Sequence, residues 1–321
     1  MDLFAKFAAL PRAHSAVDFA AVELSAQRRD FLARATDGSP VYLLHDASPV
    51  TYSPAIELKN VAVNFHSTCR VTTTAGTLED QFAVVTCGPT VPELHELFIH
   101  CFAAAVEQLP QAATTLDLQR CVRGLLDLFR AFARPSSREV TGLWAELFVL
   151  SKAQDVAQAL SAWHSDPFER FDFSWPGGCM EVKAAVREQR QHEFALEQLQ
   201  PPVGGSGFVA SVLLQVMNGG IGVVDLAKLI EQSVATRPQL RQKLWENIAA
   251  ALGSDFSERL DRRFDPSFAE RSLAVYAMVD VPTPERPTDP RISGIRFRVD
   301  LSGVMSSVSG TPREVLQRLF T

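Results

Sequence analysis

The chain has 321 residues, 46% of them hydrophobic and 21% charged, a balance that excludes a disordered chain and is enough to bury a sizeable core. Its formal net charge of −6 excludes a surface coated in basic groups but not a local basic patch, so charge by itself neither supports nor excludes nucleic acid. The 5 cysteines include no C-x-x-C pair and no zinc-type histidine spacing, and they read as reduced, mostly buried thiols of a cytoplasmic protein.

The opening MDLFAKFAALPRAHS has one lysine and an apolar run too short for a signal sequence. No other run approaches the roughly 18 apolar residues that a membrane span needs. The length fits one large domain or two ordinary ones, and the pattern along the chain favours two. We expect a β-rich N-terminal domain over 1–112 that ends in a helix, then a second domain over 113–321.

In chain order, 41–46, 55–74 and 79–87 are rich in Val, Thr and aromatics with partial alternation, which predicts strands. From Pro92 the period becomes helical, with Leu94, Phe98, Cys101, Phe102, Ala105 and Leu109 on one stripe, and Pro110 closes it. A second helix is expected at about 116–133. Ser136 and Glu139 form an S-x-x-E capping box ahead of Val140, Leu143, Leu147 and Leu150, predicting a helix over about 137–159. The run FVASVLLQV suits a strand covered on both faces. Helices are expected at about 223–234 and 237–252, strands at 272–281 and 294–301, and a last helix starting at Thr311 and Pro312.

The stretch RFDFSWPGGCMEVKAA, from Arg170 to Ala185, sets three charges in an apolar hairpin. Strand alternation puts Phe171, Phe173 and Trp175 on one face with Met180 and Val182, and Asp172 and Ser174 on the other with Cys179, Glu181 and Lys183. A turn of two or four residues would set Ser174 opposite Cys179 and Asp172 opposite Glu181. A turn of three would break that alignment unless a bulge restores it. Two opposed carboxylates repel, and a hard divalent cation such as Mg2+ or Mn2+ between them would relieve the repulsion, with Lys183 reaching the same space. Glu146 lies on a helix inside the apolar run GLWAELFVL, an awkward place for a merely solvated charge, with Gly142 four residues earlier on the same face. An isolated E-V-K, by contrast, is also how an exposed cross-strand ion pair reads.

These residues together resemble an uncharacterised bacterial family of PD-(D/E)XK proteins within the restriction-endonuclease-like nucleases. The likeness rests on Gly142-Leu143-Trp144-Ala145-Glu146-Leu147, Asp172-Phe173, Glu181-Val182-Lys183, Arg190-Gln191-His192 and Glu197-Gln198-Leu199. It departs from the superfamily's name at Phe171, where that name has proline. The resemblance implies an α/β (α+β) fold, with a mixed central sheet flanked by helices behind the β-rich N-terminal domain. It implies Asp172 and Glu181 as metal ligands, Lys183 as the group that orients or activates the attacking water, and Glu146 as a further acid that also serves as a metal ligand. The implied reaction is Mg2+- or Mn2+-dependent hydrolysis of DNA phosphodiester bonds, within a prokaryotic restriction or phage-defence system.

Arg187, Arg190 and His192 would contact phosphates or form a solvated stretch, with His192 alternatively a hydrogen-bond partner for a carboxylate. Gln198 would face the site from a short helix. The aromatics read as core. Arg259, Arg262, Arg263 and Arg271, interleaved with acids, read as a salt-bridged surface and not a DNA groove. The rival reading is an inactive nuclease-fold subunit that binds DNA or scaffolds a helicase or ATPase partner; a methyltransferase of the same defence system is a further candidate partner. Homodimerisation would suit cutting of two strands. RNA or modified DNA as substrate stays open, since this chemistry barely depends on the base.

Overall fold

The computed structural model describes residues 2–24, 27–50, 53–58, 61–87, 94–132, 139–165, 169–186, 189–252, 262–286, 288–289 and 291–320. It divides into two compact units, Met1–Arg134 and Pro135–Thr321. No described helix is long and apolar enough to cross a membrane.

The first unit runs α1 (Leu3–Ala8), β1 (Asp18–Glu23), β2 (Phe31–Arg34), β3 (Pro40–His45), β4 (Ile56–Leu58), β5 (Val61–Thr73), β6 (Gly76–Cys87), α2 (His95–Val106) and α3 (Thr115–Phe132). The sheet order is β1-β2-β3-β6-β5-β4, and β1 also pairs with β5, so five strands close into a ring. Closure requires the long β5 to serve two partners along one edge: β4 at Val61 to Val63 and β1 at Arg70 to Thr72. Between them the β5–β6 register slips at Asn64 to Ser67, where His66 takes φ 54°. Phe19, Phe31, Leu43 and Phe82 fill the ring. Tyr42, pointing the other way from β3, stacks on Phe102 of α2 at 4.1 Å, which is why β3 is buried at successive positions rather than alternate ones. The sequence gives little sign of β1, whose DFAAVE holds two alanines, a poor strand former.

The second unit opens with α4 (Val140–Ser151) and α5 (Val156–Ala162). The single helix expected over 137–159 is therefore two: α4 stops at Lys152, and the Asp155 side chain accepts the Gln158 N–H to cap a new start. An internal Asp prefers such a cap to a helix interior, where it competes with the backbone for hydrogen bonds. Ser136 of the expected capping box lies outside the described residues, and Glu139 is the N-cap of α4 without a side-chain cap bond.

Then follow β7 (Phe173–Trp175), β8 (Gly178–Ala185), β9 (Gln191–Ala195), a 3-10 turn (Leu196–Leu199), β10 (Ser206–Leu213), β11 (Val216–Ile221), α6 (Val223–Ser233) and α7 (Pro238–Leu252). The chain closes with α8 (Pro266–Ser272), β12 (Ala274–Ala277), β13 (Arg296–Asp300) and α9 (Pro312–Leu319). The four-stranded sheet has the order β12-β10-β8-β7 and is mixed, because β10 lies parallel to β8 while the other pairs are antiparallel. A separate ribbon pairs β9 with β13.

Each face of the four-stranded sheet has its own cover. On one, Phe173 and Trp175 meet Phe320 just past α9, and Trp175 stacks on Phe208. On the other, Cys179, Val209 and Tyr276 form a core with Phe194 and Val299 of the β9–β13 ribbon. Phe171 belongs to this second core, against the expectation that it shares the Phe173 face. It precedes β7, so alternation does not reach it, and Arg170 lies over its ring at 4.8 Å.

Candidate active site

The hairpin turn settles the register. Trp175 pairs with Gly178, Ser174 with Cys179 and Phe173 with Met180, leaving a two-residue turn of Pro176 and Gly177. Gly177 sits at φ 90°, the left-handed backbone that the third position of a Pro-Gly turn demands and that glycine supplies without a Cβ clash. Gly178 has a different constraint: a Cβ there would meet the Trp175 ring at 2.5 Å.

With that register, Cys179, Glu181 and Lys183 project together from β8. Their partners across the parallel pairing are Gly207, Val209 and Ser211 of β10. The face therefore grades from apolar at Cys179 to polar at Lys183. Glu181 is 3% exposed, and its Oε1 lies 2.8 Å from Lys183 Nζ, whose side chain is 18% exposed. Gln198, on the 3-10 turn after β9, ties the pair together: its Nε2 donates to Glu181 Oε1, and its Oε1 accepts from Lys183 Nζ at 3.2 Å and from Ala195 N–H at 3.0 Å. Lys183 Nζ also lies over the Phe194 ring at 5.1 Å.

Asp172 is buried just before β7. Its Oδ2 accepts the Val182 N–H at 2.8 Å, so its carboxylate lies against β8 beside Glu181, where β7's own pairing has ended. Glu146 comes from α4, which packs on β8. Its Oε2 accepts the indole N–H of Trp163 at 2.8 Å and lies 3.2 Å from His164 Nε2. The main chain of His164 donates to the Asp172 carbonyl at 2.9 Å, so one residue links the helix acid to the hairpin acid.

Among the described residues, the set of three ligand-type groups whose atoms lie within 4.8 Å of one another is Asp2, Glu96 and His100 in the first unit. Asp172, Glu181 and Glu146 are not gathered that tightly. Oxygens on one Mg2+ at about 2.1 Å stand no more than about 4.2 Å apart, so with these side chains as placed a single ion would take at most two of the three carboxylates directly.

The cationic residues downstream divide. Arg190 donates through Nη1 to the Ser211 hydroxyl and carbonyl at 2.9 and 3.0 Å, and through Nη2 to the Ser272 carbonyl. His192 is buried, with Nε2 2.8 Å from Ser211 Oγ. Burial first, then repulsion from Lys183 and Arg190, lowers its pKa to about 4, so it is neutral at neutral pH and offers a phosphate no charge. Arg187 lies outside the described residues. Gln198 is where the sequence placed it, facing the Glu181–Lys183 pair.

Ser211, Trp163 and His164 were missed from sequence. Ser211 leaves a faint trace, as the lone polar side chain in the run Phe208 to Leu214. Trp163 and His164 leave none, because their contact with Glu146 is made by folding back across 17 and 18 positions.

A family model described as "Putative PD-(D/E)XK family member, (DUF4420)" matches residues 7–302. No curated protein and no solved structure matches the chain.

Proposed function

The chain belongs to this PD-(D/E)XK family, and from that premise we propose that it is a divalent-metal-dependent nuclease that hydrolyses DNA phosphodiester bonds. The observation that carries the reading is the buried Glu181–Lys183 pair at 2.8 Å with the Asp172 carboxylate bonded to the very next residue of the strand. An ion pair built only for stability does not call for a second buried carboxylate beside it.

The donor set fits Mg2+ or Mn2+. Asp172 and Glu181 supply hard carboxylate oxygens, and two carboxylates beside one ammonium leave the set net negative. A carboxylate has about four lone-pair sites, so the bonds described at Asp172 Oδ2 and Glu181 Oε1 are compatible with metal ligation. Bound there, the ion would lower the pKa of a water and neutralise phosphate charge. Lys183, positioned by Glu181 and Gln198, would orient the attacking water or stabilise the negative charge that develops on the phosphate. Glu146, held by Trp163 and His164, would act as the further acid, reaching the centre through water or at a second ion. Arg190 and His192 would support the site by fixing Ser211 beside Lys183. This assigns them a positioning part in place of phosphate contact.

The biological setting that accompanies this reading is a prokaryotic restriction or phage-defence system, with a helicase, ATPase or methyltransferase as partner and a homodimer where both strands are cut. The test is cleavage of DNA in Mg2+ and Mn2+ by the wild type and by Asp172→Ala, Glu181→Ala and Lys183→Ala. Loss of cleavage in all three is expected, and cleavage at wild-type rate by the variants would sink the assignment. The alternative is an inactive scaffold, favoured by the engagement of Lys183 with Glu181 and Gln198. Titration calorimetry showing no Mn2+ uptake alongside intact DNA or partner binding would select it.

A further inference from the structure

Immediately beyond Lys183, the end of β8 borders a cleft of about 650 Å3. Ala184, Ala185 and Val186 line it, together with Arg262, Arg298, Glu139 and Glu193. We propose that this cleft receives the phosphodiester backbone of a DNA strand on its way to the Glu181–Lys183 centre, with Arg262 and Arg298 contacting phosphates. The inference rests on the nuclease reading and adds to it a route and two residues.

Continuity comes first. Ala185 follows Glu181 and Lys183 at alternate positions on β8, so the strand face that bears the centre continues into the cleft. The two alanines leave room beside it, where larger side chains would close the approach.

Charge comes second. Arg298 is exposed on β13, and its cross-strand neighbour on β9 is Glu193. That carboxylate pairs instead with Arg296, at 3.4 Å, and the strand pair's other acid, Asp300, accepts the Ser302 N–H at 2.9 Å, so neither is paired with Arg298. Arg262 is exposed with its guanidinium 5.9 Å from the centre of the Phe264 ring. Among the described residues, neither Arg262 nor Arg298 forms an ion pair. Their neighbours are used otherwise. Arg263 is bound to Asp225 at 2.9 Å and to the Gly220 carbonyl, as expected of a salt-bridged surface, and Arg190 is bound to Ser211 and Ser272. Arg262 and Arg298 are thus the arginines at this cleft whose charge is left for an anion. A planar guanidinium offers a phosphate two parallel donors.

The experiment measures DNA binding apart from cleavage. Fluorescence anisotropy with labelled single- and double-stranded DNA of unrelated sequences is followed in EDTA from 50 to 200 mM salt. Arg262→Ala and Arg298→Ala should each lower the slope of log K against log salt by about 1 and weaken binding roughly tenfold at 0.1 M salt, equally for all sequences. Arg298→Lys should retain the slope, and Arg313→Ala, outside the cleft lining, should change nothing. Both arginines are exposed, so circular dichroism is expected to report unchanged folding. Unchanged slopes in both alanine variants, with wild-type binding intact, would overturn the cleft assignment and leave the nuclease reading standing. A wild type that neither binds nor cleaves DNA would instead overturn the nuclease reading, and this inference with it. Tighter binding to RNA of the same length, lost in the same variants, would overturn DNA as the occupant.

Discussion

Each unit of the molecule buries an ion pair between residues two apart, and the two pairs are built differently. In the first unit Arg28 meets Asp30 through Nε at 2.5 Å and Nη2 at 3.0 Å. Arg28 also donates to the carbonyls of His45, Pro110 and Gln111, while Asp30 accepts the His45 N–H. That pair fastens segments more than 80 positions apart, and the side chains are 3% and 0% exposed. Glu181 and Lys183 lie on one strand and are bridged by Gln198, 17 and 15 positions away, with the lysine partly open and a second carboxylate alongside. The first pair holds the chain together; the second concentrates charge where little is being held. Burial and short distance alone do not separate a structural pair from a reactive one. The range of the bonds around it does.

The comparison can be broken most sharply at Asp30. Asp30→Ala strands a buried guanidinium and should cost about 3–5 kcal/mol of unfolding free energy, measured by urea denaturation. A loss below about 1 kcal/mol would mean that the first pair is not a fastening. Lys183→Ala should lower the metal-dependent cleavage rate by about 10²–10³ and cost less stability than Asp30→Ala, because Gln198 still donates to Glu181. Equal falls in stability for the two variants would erase the contrast.

His192 extends the contrast to pH. Its folded pKa of about 4 lies below the ordinary value near 6.5, so between these pH values the unfolded chain binds a proton that the folded one does not. Stability should therefore be steady above about pH 6.5 and fall by about 3 kcal/mol as pH drops towards 4. Melts of wild type and His192→Gln across that window check it, and a variant with the same pH slope removes His192 from the account. The smallest effect expected is at Glu146. Glu146→Gln keeps an acceptor for Trp163 but weakens the charge-assisted bonds, costing about 1–2 kcal/mol in the same urea assay. A larger stability loss than that from Asp30→Ala would make Glu146 the structural residue of the molecule.

The hairpin centre was readable from sequence because its geometry is local. Alternation along β8 aligned Glu181 with Lys183, a turn of only two residues fixed the register, and the short run after β9 brought Gln198 back over them. Phe171 shows where that logic stops, two positions outside the strand. The surroundings of Glu146 were not readable, since Trp163 and His164 reach it only after Asp155 has interrupted the expected helix. Arg190 and His192 were visible as cationic residues, but their engagement with Ser211 depends on β10, which the chain reaches about 20 positions later. Arg262 was set aside among mixed charges, and only the folded position of Arg298 beside the same cleft gives it a different meaning.

The Pro176–Gly177 turn has a further consequence, for the kinds of mutation the centre can survive. A strand repeats every two residues, so one codon added or removed between Trp175 and Cys179 would hand Glu181 and Lys183 to the opposite side of the sheet, into the space below Phe320. Substitution at Pro176 leaves that count intact. In a library of single-codon insertions, deletions and replacements across the hairpin, the frame length should be the trait under selection, and Pro176 replacements should persist among survivors where every length variant is lost.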